Sequence, residues 1–115
     1  MEVRPVQARP RNVEVYESSS GAAPFDDWMG DLKDPIGRAA IDAGIALLRR
    51  GSLGRQYRDV GDGLIELKVN VGPGYRIYLA DDGRTSLILL AGRKNTQKQD
   101  IRTAKKYWAD YKLRG

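Results

Sequence analysis

Apolar positions change period along this chain, and each change marks an element. In Asn12 to Glu17, Val13 and Val15 alternate with Glu14 and Tyr16, which predicts a short half-buried strand. Pro24 then stands where a first helical residue would, with Asp26 and Asp27 in the turn that the helix dipole favours for acids. Phe25, Trp28, Met29 and Leu32 fall at i, i+3, i+4 and i+7, one face of a helix. Asp34-Pro35 starts a second helix as N-cap and first residue. Ile36, Ala40, Ala43 and Leu47 form its predicted core stripe, widened by Ile41, Ile45 and Leu48, and Gly51 closes it. The short break at Lys33-Asp34 makes the pair a helical hairpin.

After Gly54 the period shortens. Gln56 to Val60 reads as a short strand and Gly61-Asp62-Gly63 as a turn. Ile65, Leu67, Val69 and Val71 alternate with Glu66, Lys68 and Asn70, the clearest half-buried strand. Gly72-Pro73-Gly74 turns the chain into Tyr75 to Ala80, with Tyr75, Ile77 and Leu79 opposite Arg76, Tyr78 and Ala80. Asp81-Asp82-Gly83 is a hairpin turn, and Thr85 to Ala91 is apolar enough for a central strand covered on both faces. Ile101, Ala104, Trp108 and Tyr111 mark a last amphipathic helix, beginning at Gln97 or Lys98. The order predicts an α+β domain with a largely antiparallel sheet and helices mainly on one face. Residues 1–11, basic and with two prolines, read as a flexible arm before a single domain over 12–115.

Composition narrows the chemistry. At 115 residues, 41% hydrophobic and 30% charged, the chain is an ordinary one-domain globular protein. No apolar run approaches the ~20 residues of a membrane span, and no secretory leader is visible, so a cytoplasmic location is expected. With no cysteine and no histidine, disulfides, thiolate chemistry, the usual zinc sites and the commonest acid/base are excluded; no metal or cofactor is expected. A formal charge of +5 favours a polyanionic partner. The charge is uneven: Arg93 to Gly115 holds eight Lys/Arg against Asp100 and Asp110. The glycines sit in turns, and no GxxxxGK[ST] phosphate loop is present.

Several stretches occur in a telling order: Phe25-x-x-Trp28, Gly51-Ser52-Leu53-Gly54, Gly61-Asp62-Gly63-Leu64-x-Glu66-Leu67, Gly72-Pro73-Gly74-Tyr75-Arg76-Ile77-Tyr78, Leu89-Leu90-x-Gly92-x-Lys94-x-Thr96-Gln97 and Asp100-Ile101-x-x-Ala104. Together they resemble the RelE/ParE toxin superfamily of type II toxin–antitoxin modules, nearest its HigB-like, phage-derived addiction-module-killer branch. The resemblance covers roughly residues 12–111. It implies a RelE-like fold and an endoribonuclease that cuts messenger RNA on the 70S ribosome. The implied partner is a cognate antitoxin, for this branch a HigA-like helix-turn-helix protein. ParE-like relatives share the fold and inhibit DNA gyrase without being enzymes, which is the alternative function, since fold does not fix function.

Metal-free RNA cleavage uses the ribose 2′-hydroxyl as nucleophile, with a group to take its proton and a cation to steady the phosphorane. The resemblance assigns the phosphate-stabilising role to Arg76 and the proposed base to Lys68, which lies on the neighbouring strand. Arg93 and Lys94 occupy the loop where RelE-type toxins carry a catalytic arginine. Lys94 fits the branch pattern and is expected to be catalytic with Arg76 and Lys68, Arg93 reads as an RNA contact, and Arg58 and Lys98 are expected as further RNA-binding cations. Tyr78, on the Arg76 face, is expected to stack on a base. Tyr75 is expected in the core, as are Phe25, Trp28, Met29, Trp108 and Tyr111. Glu66, on the Lys68 face, is expected in a salt bridge rather than as a base. RelE-type toxins carry a late tyrosine after the basic loop; here the region reads Gln97-Lys98-Gln99-Asp100. Gln97 or Asp100 then substitutes, or positioning on the ribosome supplies the rate.

Overall fold

The computed structural model describes residues 10–52, 56–82 and 84–114. The arm over residues 1–9, the Leu53-Gly54 pair and the hairpin-turn Gly83 lie outside the described residues. The elements run β1 (Asn12–Val15), α1 (Pro24–Asp31), α2 (Pro35–Arg50), β2 (Tyr57–Gly61), β3 (Leu64–Val69), β4 (Tyr75–Asp81), β5 (Thr85–Arg93) and α3 (Gln97–Leu113). The five strands form one sheet in the order β1-β5-β4-β3-β2. All neighbours are antiparallel except β1 and β5, which the α1–α2 hairpin and the β2–β4 meander separate in the chain. This is an α+β fold.

The sheet is covered on both sides, which corrects the expectation that the helices share one face. The α1–α2 side buries Phe25, Leu32 and Ile41 against Leu67, Val69, Tyr75, Ile77 and Ile88. The α3 side buries Ala104 with Tyr16, Leu64, Tyr78, Ala80, Leu87 and Leu89. Strand β3, expected to be half-buried, is therefore enclosed except at Lys68. Arg11, assigned by sequence to the arm, belongs to the folded body. It is buried, its Nε donates to Asp81 at 2.9 Å, and its amide reaches the Arg49 carbonyl.

Helix α2 shows what local chemistry fixes and what it does not. Asp34 accepts from the Gly37 amide at 3.0 Å, Pro35 follows it, and Gly51 ends the helix at φ 77°, the left-handed backbone that glycine tolerates. The buried stripe, however, is Gly37, Ile41 and Leu48, while Ile36 is 72% exposed and Leu47 43%. Of the predicted stripe, Ile36 and Leu47 therefore face outward while Ala40 packs on the core, and the buried arc centres on the widening residues Ile41, Ile45 and Leu48. Gly37 is the reason: a Cβ there would sit 2.6 Å from the Tyr75 ring and 2.5 Å from Asp34. The contact that sets the helix's rotation uses a residue with no apolar side chain to announce it. Tyr111, expected in the core, is 40% exposed and stacks on the half-buried Trp108. No helix among the described residues is long and apolar enough to cross a membrane.

A candidate polar cluster beneath the third helix

Strand register builds the site. On the α3 side of the sheet, one cross-strand row runs Arg58, Glu66, Tyr78, Leu90, and the next runs Lys68, Arg76, Gly92. Directly paired residues share a face, so Lys68 and Arg76 lie side by side as their alternation required. The first turn of α3 roofs these rows. Gly92 makes that possible, because a Cβ there would overlap the Asp100 carboxylate.

Glu66 is the hub, fully buried. Its Oε2 accepts from the Gln97 amide at 2.6 Å. Its Oε1 faces Arg58 at 3.3 Å and the Arg76 Nε at 3.8 Å. Arg76 is only 5% exposed, and its Nη1 donates to the Tyr75 carbonyl at 2.9 Å. Buried charges are stable only when paired, and here the carboxylate and guanidinium compensate each other across the sheet. Tyr78 is fully buried against this pair. Burial first, then the charges of Glu66 and Asp100, raise its pKa well above the ordinary tyrosine value, so it stays a neutral phenol. Asp100 is held by the Thr96 hydroxyl at 2.5 Å.

The expected residues divide accordingly. Arg76, Arg58 and Glu66 converge, with the salt bridge expected of Glu66 present, and Lys68 is placed beside Arg76 by strand register. Tyr78 joins the group but offers no face for base stacking, which corrects that expectation: the ring is enclosed by β5 and α3. Lys94 lies at the rim, its amide bonded to the Gly74 carbonyl at 3.0 Å and its side chain exposed. Lys98 is exposed on the outer side of α3. Arg93 is on the opposite side of the sheet. It pairs in register with Tyr75, and its charge acts on Tyr75 and Asp34.

The separation of Arg93 from Arg76 has a cause. The β4–β5 register slips between Tyr78↔Leu90 and Leu79↔Ile88, a β-bulge at Leu89 that reverses the alternation beyond it. Leu89 and Leu90 both pack on the α3 side, Ala91 turns to the α1–α2 side, Gly92 returns, and Arg93 ends away from the cluster. An all-apolar run such as Leu87–Ala91 carries no alternation in which a bulge could be read. Gln97 is the other residue whose role needed the fold. Its amide reaches a carboxylate 31 positions earlier in the chain.

On the α1–α2 side, Tyr75 donates to Asp34 at 2.5 Å. That hydrogen bond, then the one from Gly37, lowers the Asp34 pKa from the usual carboxylate value. A groove of about 550 Å³ opens between α2 and the β2–β3 edge, lined by Ala40, Ala43, Gly44, Leu47, Tyr57 and Leu67 and reaching Lys68. Among the described residues, no group of three or more carboxylates comes together that could hold a metal ion.

No protein-family model matches the chain. It is 42% identical over 82 residues to an uncharacterized protein of Haemophilus influenzae, a match that spans 70% of this chain and 82% of the relative.

Proposed function

For a chain that belongs to the same family as this Haemophilus influenzae protein, we propose a RelE-like toxin of the HigB branch: a metal-independent endoribonuclease that cuts messenger RNA on the ribosome and is silenced by a small antitoxin. The observation that carries the reading is the direct cross-strand pairing of Lys68 with Arg76, flanked by Arg58 and bordered by Lys94. A guanidinium with a lysine amine beside it on a rigid sheet suits a phosphodiester, whose negative charge grows in the transition state. In this scheme the 2′-hydroxyl attacks the adjacent phosphorus, its proton passes to the neutral amine form of Lys68, and the P–O5′ bond breaks to leave a 2′,3′-cyclic phosphate. The guanidinium of Arg76 steadies the pentacovalent phosphorane, and the departing 5′-oxygen takes its proton from solvent water.

Glu66 keeps Arg76 oriented and compensated until RNA arrives. The roof of Gln97 and Asp100 must shift for a phosphate to reach that guanidinium, because so little of Arg76 is exposed. That same burial favours the rival reading, a non-enzymatic ParE-like inhibitor of DNA gyrase in which the Glu66–Arg76 pair is only structural.

The test compares the parent chain with Arg76→Ala and Arg76→Lys, each first checked for a cooperative thermal melt. After induction, mapped 5′ ends of cellular transcripts are expected to show new cuts with the parent. Arg76→Ala is expected to lose them, and growth arrest with them. Growth arrest by a folded Arg76→Ala chain, with DNA damage and intact messages, would establish the gyrase reading instead.

A further inference from the structure

Helix α3 carries Lys98, Arg102, Lys105, Lys106 and Lys112 against only Asp100 and Asp110. Asp100 turns away from the outer surface, whereas Asp110 follows Lys106 on the same row with its side chain 43% exposed and is already engaged by Tyr16 and Arg114. Asp100 is held by Thr96 beneath Gly92, and Asp110 accepts from Tyr16 at 2.6 Å and faces Arg114 at 3.1 Å. Ile101, Ala104 and Trp108 fix the inner side of the helix on the sheet. What remains outward is Lys98, Arg102 and Lys106, at i, i+4 and i+8, all exposed.

Each step along this band rises about 6 Å, and like charges at that spacing repel. None of the three makes an ion pair among the described residues. Lys105, by contrast, is matched to Asp62 at 3.3 Å in the β2–β3 turn. Three like charges stacked without counter-ions weaken an isolated helix, and an external polyanion removes that repulsion.

We propose that the outer face of α3, through Lys98, Arg102 and Lys106, is a docking band for an RNA phosphate backbone, separate from the Arg76 cluster. The choice of RNA rests on the ribonuclease reading. The polyanionic character of the partner rests on the band alone. The band begins in the same helical turn that roofs the cluster, so a strand lying along it leads toward the roof. Phosphate contacts of this kind position a nucleic acid without reading its sequence.

The experiment replaces all three residues with glutamine, a good helix former, and measures binding of a labelled single-stranded RNA oligomer between about 50 and 200 mM salt. Each phosphate contact contributes about −0.7 to the slope of log K against log salt for single strands, so the variant's slope is expected to become shallower by about 2. Its melting temperature is expected to stay level or rise, since repulsion is removed. An unchanged slope overturns the band. Unlabelled DNA of the same sequence is expected to displace the RNA no better than RNA itself; stronger displacement by DNA overturns the assignment to RNA. Arg76→Lys, assayed alongside, separates the two readings. Band-dependent RNA binding by a parent chain that leaves transcripts uncut retains this proposal and removes the nuclease one.

Discussion

At the scale of single residues, Glu66 decides more than any cation around it. It is enclosed, and its carboxylate is shared among Gln97, Arg58 and Arg76. Removing one member of a buried ion pair leaves the other uncompensated, at about 3–5 kcal/mol, whereas an exposed pair contributes about 0–1 kcal/mol. Arg58, with its side chain 52% exposed, belongs to the second class, and Arg76 to the first. Glu66→Ala is therefore expected to cost about 3–5 kcal/mol in urea unfolding, and Arg58→Ala under about 1 kcal/mol. The double change Glu66→Leu with Arg76→Leu is expected to cost less than the sum of its parts. Additive losses would mean that the two side chains are not coupled.

At the scale of elements, the rotation of α2 is the point at which sequence and structure part. The predicted apolar arc of that helix is broad, from Ile36 and Leu47 round to Ile41 and Leu48, and packing selects which part of it is buried. Leu48 is fully buried, with Ile65 and Leu79 as neighbours, while Leu47 faces the outer groove. Leu48→Ala is expected to destabilise by about 2–5 kcal/mol through lost burial and the cavity left behind. Leu47→Ala, one residue away, is expected to change stability by no more than about 0.5 kcal/mol. Thermal melts of the two variants check the assignment, and reversed magnitudes would mean that the helix is turned the other way. The β5 bulge belongs at this scale too: one extra residue at Leu89 sends Arg93 to the far side of the sheet.

At the scale of the whole molecule, ionisable groups on both faces of the sheet limit the pH range of the fold. Burial raises the pKa of Tyr57 to about 12, and the pKa of Tyr78 rises mainly for the same reason. Tyr75 rises chiefly through its bond to Asp34, and Tyr16 through burial and then Asp110. A phenol whose folded pKa is raised contributes stability that is complete below the unfolded value of about 10 and is lost as pH climbs through the folded one. Asp34 and Asp82 are lowered by hydrogen bonds, so their contribution is present above about pH 4 and is lost as pH falls through their folded values. Urea midpoints are expected to hold level between these limits and to drop above about pH 10, and in a Tyr107→Phe, Tyr111→Phe background the tyrosinate absorbance of the other four is expected to appear late and together with unfolding. Tyrosinate that forms gradually in the folded protein would contradict this.

Local rules determine much of this protein from the chain alone. Capping and turn chemistry at Asp34-Pro35, Gly51 and Gly72-Pro73-Gly74 depends on neighbouring atoms, so these boundaries were legible, as were the β3–β4 pairing and the adjacency of Lys68 and Arg76. Tertiary structure alone decided which part of the α2 apolar arc is buried, that α3 crosses to the other face, that a bulge separates Arg93 from Arg76, and that Glu66 is enclosed. Each of these rests on contacts between segments distant in sequence, where close packing chooses among arrangements that hydrophobic periodicity leaves equally open.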